Sequence, residues 1–175
     1  MKIAIILIER TVPGIRELMD AVSAELGAQI IRDMIDLGAT HAYRKERNQY
    51  RAEVLLKELS RFAYDADFTL FIFREDMFAG NLNFIFGIAS GKMGIVSTTR
   101  LDPRFYGEVD DPAQAKELFQ ERLIKEVLHE LGHTLGLPHC ENKKCVMVFS
   151  NSIEDVDYKG SKFCERCREL LQRKE

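Results

Sequence analysis

Residues 129–140 read HELGHTLGLPHC and hold three of the chain's four histidines, a glutamate in second place, two glycines and a closing cysteine. At about 100° per residue, His129 and His133 lie roughly 40° apart and one turn apart on one helix face, the placement two imidazoles need to share a metal ion. Ile124, Val127, Leu128, Leu131 and Leu135 gather on the opposite side. The leucines therefore face a core and the histidines a cleft. Glu130 projects roughly 60° to the side of His133. There its carboxylate reaches a water at the metal without being a ligand, as a general base requires. A third ligand has to come from beyond the helix. Gly136, free of a Cβ, takes the left-handed conformation that ends a helix, and three residues later His139 approaches the same ion. Three neutral imidazoles leave a fourth position open, the arrangement of a catalytic zinc. A pair of satisfied core histidines is the alternative for His-x-x-x-His alone, and the glutamate and third histidine weigh against it.

Outward from this stretch, DDPAQAKELFQERLIKEVLHELGHTLG (110–136) is the longest helical pattern. Asp111 is its expected N-cap, with Pro112 in the first turn and Gln114 three residues after the cap. Gly136 and Pro138 close it. Upstream, KIAIILIE reads as a buried strand, PGIRELMDAVSAELG as a helix stopped by Gly27, and AQIIRDMID as a second strand. A charged amphipathic helix is expected over about Lys45 to Phe62, then a strand in DFTLFIFRED, rich in β-branched and aromatic residues. This order implies an α/β fold with a mostly parallel sheet and right-handed crossovers. NFIFGIAS and KMGIVSTTRL are separated by little more than Gly91, which is hairpin spacing. One of that pair should run antiparallel as an edge strand, either open to an extended peptide or blunted by a loop.

All four cysteines, Cys140, Cys145, Cys164 and Cys167, fall in the last 36 residues. A C-x4-C pair and a C-x2-C pair, eighteen residues apart, have the spacing of a four-thiolate structural zinc site. The alternatives are a redox dithiol at Cys164 and Cys167 or two local disulfides. A thioredoxin-type pair belongs near a strand-to-helix start, whereas this one lies in a terminal helix expected over about 162–173. Residues 140–175 are otherwise short on apolar side chains, so metal binding would supply their folding free energy. The expected organisation is one catalytic domain, 1–175. It comprises an N-terminal α/β lobe, 1–136, ending with the long active-site helix, and a small C-terminal lobe, 137–175, held by the second zinc.

The 175 residues carry 25 Lys plus Arg against 28 Asp plus Glu, a net charge of -3. No strong field for nucleic acid or a membrane surface is built in. The apolar run Ile3 to Ile8 is followed at once by Glu9 and Arg10, which is not a secretory signal, and nothing approaches the ~18 apolar residues of a membrane span. These features predict a cytoplasmic monomer that acts on peptides and binds no nucleic acid. His41 is expected on the surface, and the Arg and Lys of YRKERNQYR on a solvated helix face. Tyr106 and Tyr158 are possible oxyanion donors, but the spacing selects neither.

The eleven-residue pattern His-Glu-x-x-His-x-x-Gly-x-x-His resembles that of the metzincin metallopeptidases. Those enzymes carry a methionine in a tight turn beneath the zinc, and Met147 in CVMVF matches it; a methionine alone reads as core filler. Cysteine directly after the third histidine, a second cysteine two residues before the methionine and a late C-x-x-C narrow the resemblance to the archaemetzincins, over residues 129–167. Sixteen residues separate Met147 from Cys164, one fewer than the family spacing, a loop change that should disturb neither site. The resemblance implies a cleft between an α/β lobe and a small C-terminal lobe, one catalytic and one four-cysteine zinc, and weak peptidase activity. The expected reaction is peptide hydrolysis with Glu130 as proton carrier. Two alternatives remain. Bacterial metal-dependent endoribonucleases that mature ribosomal RNA share the three-histidine spacing but lack the glutamate, and a zinc-bound scaffold would bind peptides with little cleavage.

Overall fold

The computed structural model describes residues 1–62 and 64–173. In chain order the elements are β1 (Lys2–Ile8), α1 (Ile15–Leu26), β2 (Gln29–Ile35), β3 (Tyr43–Arg44), β4 (Gln49–Arg51), α2 (Ala52–Leu59), β5 (Phe68–Phe73), β6 (Met77–Phe78), β7 (Gly87–Ser90) and β8 (Met93–Ser97). Then come α3 (Pro112–Thr134), α4 (Ile153–Tyr158) and α5 (Glu165–Gln172). Five strands form the main sheet in the order β2-β1-β5-β8-β7. All its pairings are parallel except β7 with β8, so the expected mostly parallel sheet and its antiparallel edge strand are both present.

The run KIAIILI suits a strand covered on both faces. Ile3, Ile5 and Leu7 join a core with α1 and α3, while Ala4, Ile6 and Ile8 join a second core with Leu55, Leu56 and Leu59 of α2. The first of these cores continues without a break into the C-terminal segment. Cys145, Val146, Met147, Ile153, Val156, Phe163 and Cys167 share it with Leu128 and Leu131. α3 is thus packed between the sheet and the residues that follow it.

The helix expected over Lys45 to Phe62 is confined to α2. Residues 43–51 instead form a hairpin, with Tyr43 opposite Tyr50, and β4 pairs in parallel with β6. Asn48 takes a left-handed backbone at φ 52°, a conformation asparagine tolerates in a turn. Side-chain packing overrides helix propensity here. The Tyr50 ring centroid lies 4.9 Å from that of Phe73, and buried Gln49 donates to Asp76 Oδ2 and Asn83 O, both at 2.9 Å. Arg47 is exposed as expected, but in a turn and not on a helix. Its guanidinium lies over the Phe78 ring and donates to Leu82 O and Asn83 O.

α4 had no counterpart in the sequence reading, because its segment is mostly polar. Asp155 reaches back to the backbone N–H of Ser152, and Ile153 and Val156 anchor the short helix in the core. Among the described residues, no helix is long and apolar enough to cross a membrane.

Candidate metal centre

α3 carries the first two histidines. Asp111 accepts from the Ala113 N–H at 3.2 Å and Pro112 follows it, so the helix starts where expected, although the cap bond goes to Ala113 and not to Gln114. At the other end Gly136 has φ 82°. Its N–H donates to His133 O at 2.9 Å and that of Leu137 to Gly132 O at 2.8 Å, the paired bonds of a Schellman motif. The turn buries Leu137 and brings His139 back against the helix face.

One ring nitrogen from each of His129, His133 and His139 lies within 4.8 Å of the others. The Nε2 atoms of His129 and His133 are 3.1 Å apart, close to the roughly 3.3 Å edge expected of two nitrogens sharing a tetrahedral zinc at about 2.0–2.1 Å. The opposite nitrogens are committed elsewhere: His129 Nδ1 meets Val146 O at 2.8 Å and His133 Nδ1 meets Leu137 O at 2.9 Å. A carbonyl oxygen can only accept, so each Nδ1 carries the proton and each Nε2 lone pair faces the cluster. Burial holds all three imidazoles below their ordinary pKa, most of all His129, which keeps them neutral. These donors fit a zinc ion.

Glu130 lines, with them, a cleft of about 680 Å³. Burial first, then the charge of Glu126, pushes its carboxyl well above the usual range, and Oε2 has no hydrogen-bond partner. A buried carboxylate oxygen left unpaired marks a group whose partner is a substrate or a water. Room for it depends on Gly87 of the edge strand, where a Cβ would stand 2.7 Å from Glu130 Oε1. The cleft is otherwise walled by residues 84–89, including that strand, and by Phe149, whose ring packs 4.9 Å from His139.

Cys140, Cys145, Cys164 and Cys167 form a second cluster, with all four Sγ atoms within 4.8 Å of one another and none in a disulfide. Cys140 to Cys164 is 3.8 Å and Cys145 to Cys167 is 3.7 Å, against an edge of about 3.8 Å for a tetrahedron of sulfurs at about 2.3 Å from zinc. The donors fit a closed four-thiolate site. Met147 is fully buried, and its carbonyl accepts from the Cys140 N–H at 2.9 Å. Its sulfur fits against the helix because residue 132 is glycine; a Cβ there would collide with Met147 Sδ.

Neither Tyr106 nor Tyr158 lines the cleft; both are exposed, Tyr158 beside the Lys144 ammonium. His41 is on the surface near Glu58. Sequence reasoning missed Gly87, Phe149, Val146 and a buried ion pair, Glu126 with Lys159, beside His129. Glu126, three residues before His129 on the helix, was the one of these with a readable spacing.

Peptidase family M54 matches residues 15–173. An archaemetzincin of Methanopyrus kandleri is 41% identical over 180 aligned positions, covering 99% of this chain and 97% of that protein. One of Pyrococcus furiosus is 44% identical over 151 positions, covering 84% and 77%. The crystal structure of the Methanopyrus kandleri archaemetzincin superposes with a TM-score of 0.85 at 40% identity, covering 99% of this chain and 94% of that one. A zinc-dependent peptidase of Methanocorpusculum labreanum gives 0.85 at 28% identity, covering 97% and 99%. With the three-histidine and four-cysteine clusters in place, the chain belongs to peptidase family M54, the archaemetzincins, and is a zinc metallopeptidase.

Proposed function

We propose that His129, His133 and His139 hold the catalytic zinc and that Glu130 is the general base and acid of peptide hydrolysis. The observation that carries this reading is the commitment of both helix histidines, through Nδ1, to carbonyl oxygens, which leaves Nε2 free for a metal. A bound zinc supplies a Lewis acid for the scissile carbonyl and lowers the pKa of water. Glu130 takes the proton of the attacking water and delivers it to the leaving nitrogen. Its burial raises its affinity for that proton, which suits the uptake half of the cycle. Edge strand β7 borders the cleft, and an extended peptide adds alongside it through main-chain hydrogen bonds.

Cys140, Cys145, Cys164 and Cys167 hold a second, closed zinc, Met147 supports the first site from below, and Gly136 marks the division between residues 1–136 and 137–175. The net charge of -3 favours peptide over nucleic acid, and free clustered thiols favour a reducing compartment such as the cytoplasm. We assign a monomer, since one chain contains both ligand sets. The test is Glu130→Ala. The variant should keep two zincs per chain and lose turnover of a proteome-derived peptide mixture by about 10²-fold or more; unchanged rates sink the assignment, and cleavage of structured RNA in place of peptide supports the nuclease reading.

A further inference from the structure

The polar face of α3 does not stop at the histidines. Glu126 lies one turn before Glu130 on the same face, is buried, and lines the same cleft as the histidines. A carboxylate, like an imidazole, is a zinc ligand. An unrestrained Glu126 is therefore a competitor for the position that substrate and water have to occupy. Its one ionic partner among the described residues is Lys159, fully buried, with Nζ 2.7 Å from Glu126 Oε1 in an ion contact whose angles fall outside a hydrogen bond. The same Nζ lies 3.5 Å from His129 Nδ1. Burying such a pair is costly, and well-packed apolar residues would serve stability as well or better.

The chain around Lys159 is held with equal care. Arg122 clasps Asp157 through two bonds of 2.7 Å, Lys125 donates to Asp157 O at 3.0 Å, and Lys144 donates to Tyr158 O at 3.0 Å. These contacts fix the end of α4 so that the next side chain points back at Glu126. Resting on the zinc assignment above, we infer that Lys159 is a positioning residue that keeps the Glu126 carboxylate off the catalytic ion and so preserves its open coordination position.

The test reads the open position directly, by calorimetric titration of the zinc-loaded protein with acetohydroxamate, a small chelator that needs a free site on the metal. Wild type binds it, and failure to do so, or a protein holding no zinc at the histidines, overturns the zinc assignment and the inference with it. Lys159→Met should retain two zincs and bind acetohydroxamate about tenfold more weakly or worse. Glu126→Gln/Lys159→Met should recover wild-type affinity, and Glu126→Gln alone should keep it. A purely structural Lys159 predicts loss of zinc in Lys159→Met, and that result, wild-type binding in this variant, or no recovery in the double variant overturns the inference. Lys159→Gln, a milder loss of the same charge, gives the same ordering should the methionine variant not fold.

Discussion

His129 Nδ1 lies 2.8 Å from the carbonyl oxygen of Val146, the residue between Cys145 and Met147. One three-residue stretch thus offers a thiol to the cysteine cluster, orients a histidine of the other cluster, and packs a methionine sulfur against Gly132 of the helix between the two histidines. A second connection is the His139–Cys140 peptide, which joins a donor of each cluster directly. Partners of this kind around a metal ligand are worth about 10–100-fold in affinity. Cys167→Ser, which touches no histidine, should therefore lose the structural zinc and also weaken the catalytic zinc by about tenfold or more. Metal counts and zinc competition titrations check this; an unaltered catalytic affinity would mean that the two sites are independent.

Gly87 is the tightest test of the cleft's shape. It has ordinary strand geometry, so alanine is tolerated by the backbone, but its Cβ would press on the Glu130 carboxylate at 2.7 Å. Misplacing a reacting group by an ångström costs on the order of 10²-fold. Gly87→Ala is expected to lower kcat by about that much while zinc content stays at the wild-type level. Full activity in the alanine variant would show that Glu130 moves aside at no cost.

That glycine was invisible in the sequence, and the reason is general to this fold. The spacing of the histidine motif is local, within one helix and its Schellman turn, so the donors were legible from periodicity and from Gly136. Lys159 approaches Glu126 only because α4, itself unforeseen, is pinned to α3 by Arg122. Arg122, Lys125 and Glu126 read as a polar helix face, yet all three are buried because the chain after the motif wraps over them. The β3–β4 hairpin was misread for the same reason: YRKERNQYR has helical spacing, and what decides its form is the distant partners Phe73, Asp76 and Asn83.

The raised pKa of Glu130 has a thermodynamic signature in the metal-free protein. Its folded value lies above the ordinary 4.5, so between the two the native chain holds a proton that the unfolded chain has lost. The stabilisation from Glu130 is then complete below about pH 4.5 and drains away as pH rises toward the folded value, by at most about 1.4 kcal/mol per pH unit. The depressed histidine values act with the opposite sign, favouring the native state as pH rises through their range. That contribution is common to wild type and Glu130→Gln and cancels in their difference. Apo Glu130→Gln should therefore gain on apo wild type as pH rises from about 5 to 7, read by urea unfolding at each pH. A difference that is flat with pH would show that Glu130 titrates normally.

Arg122 and Arg104 separate a structural ion pair from a decorative one. Arg122 is 1% exposed and bridges Asp157 and Glu108, joining α3 to α4 and to the loop before it. Arg104 is 70% exposed and, among the described residues, pairs with Asp102 alone, two residues away. Removing the cation of a buried pair costs about 3–5 kcal/mol, whereas an exposed pair is worth no more than about 1 kcal/mol. The Arg122 carboxylates are about one-third exposed, so water relieves part of their loss and Arg122→Ala should fall at the low end, about 3 kcal/mol. Arg104→Ala should cost less than about 1 kcal/mol. Because Arg122 also sets the course of the chain into Lys159, its alanine variant should weaken acetohydroxamate binding while Arg104→Ala leaves it alone. Urea midpoints and the same titration measure both, and equal effects from the two arginines would remove Arg122 from the support of the metal centre.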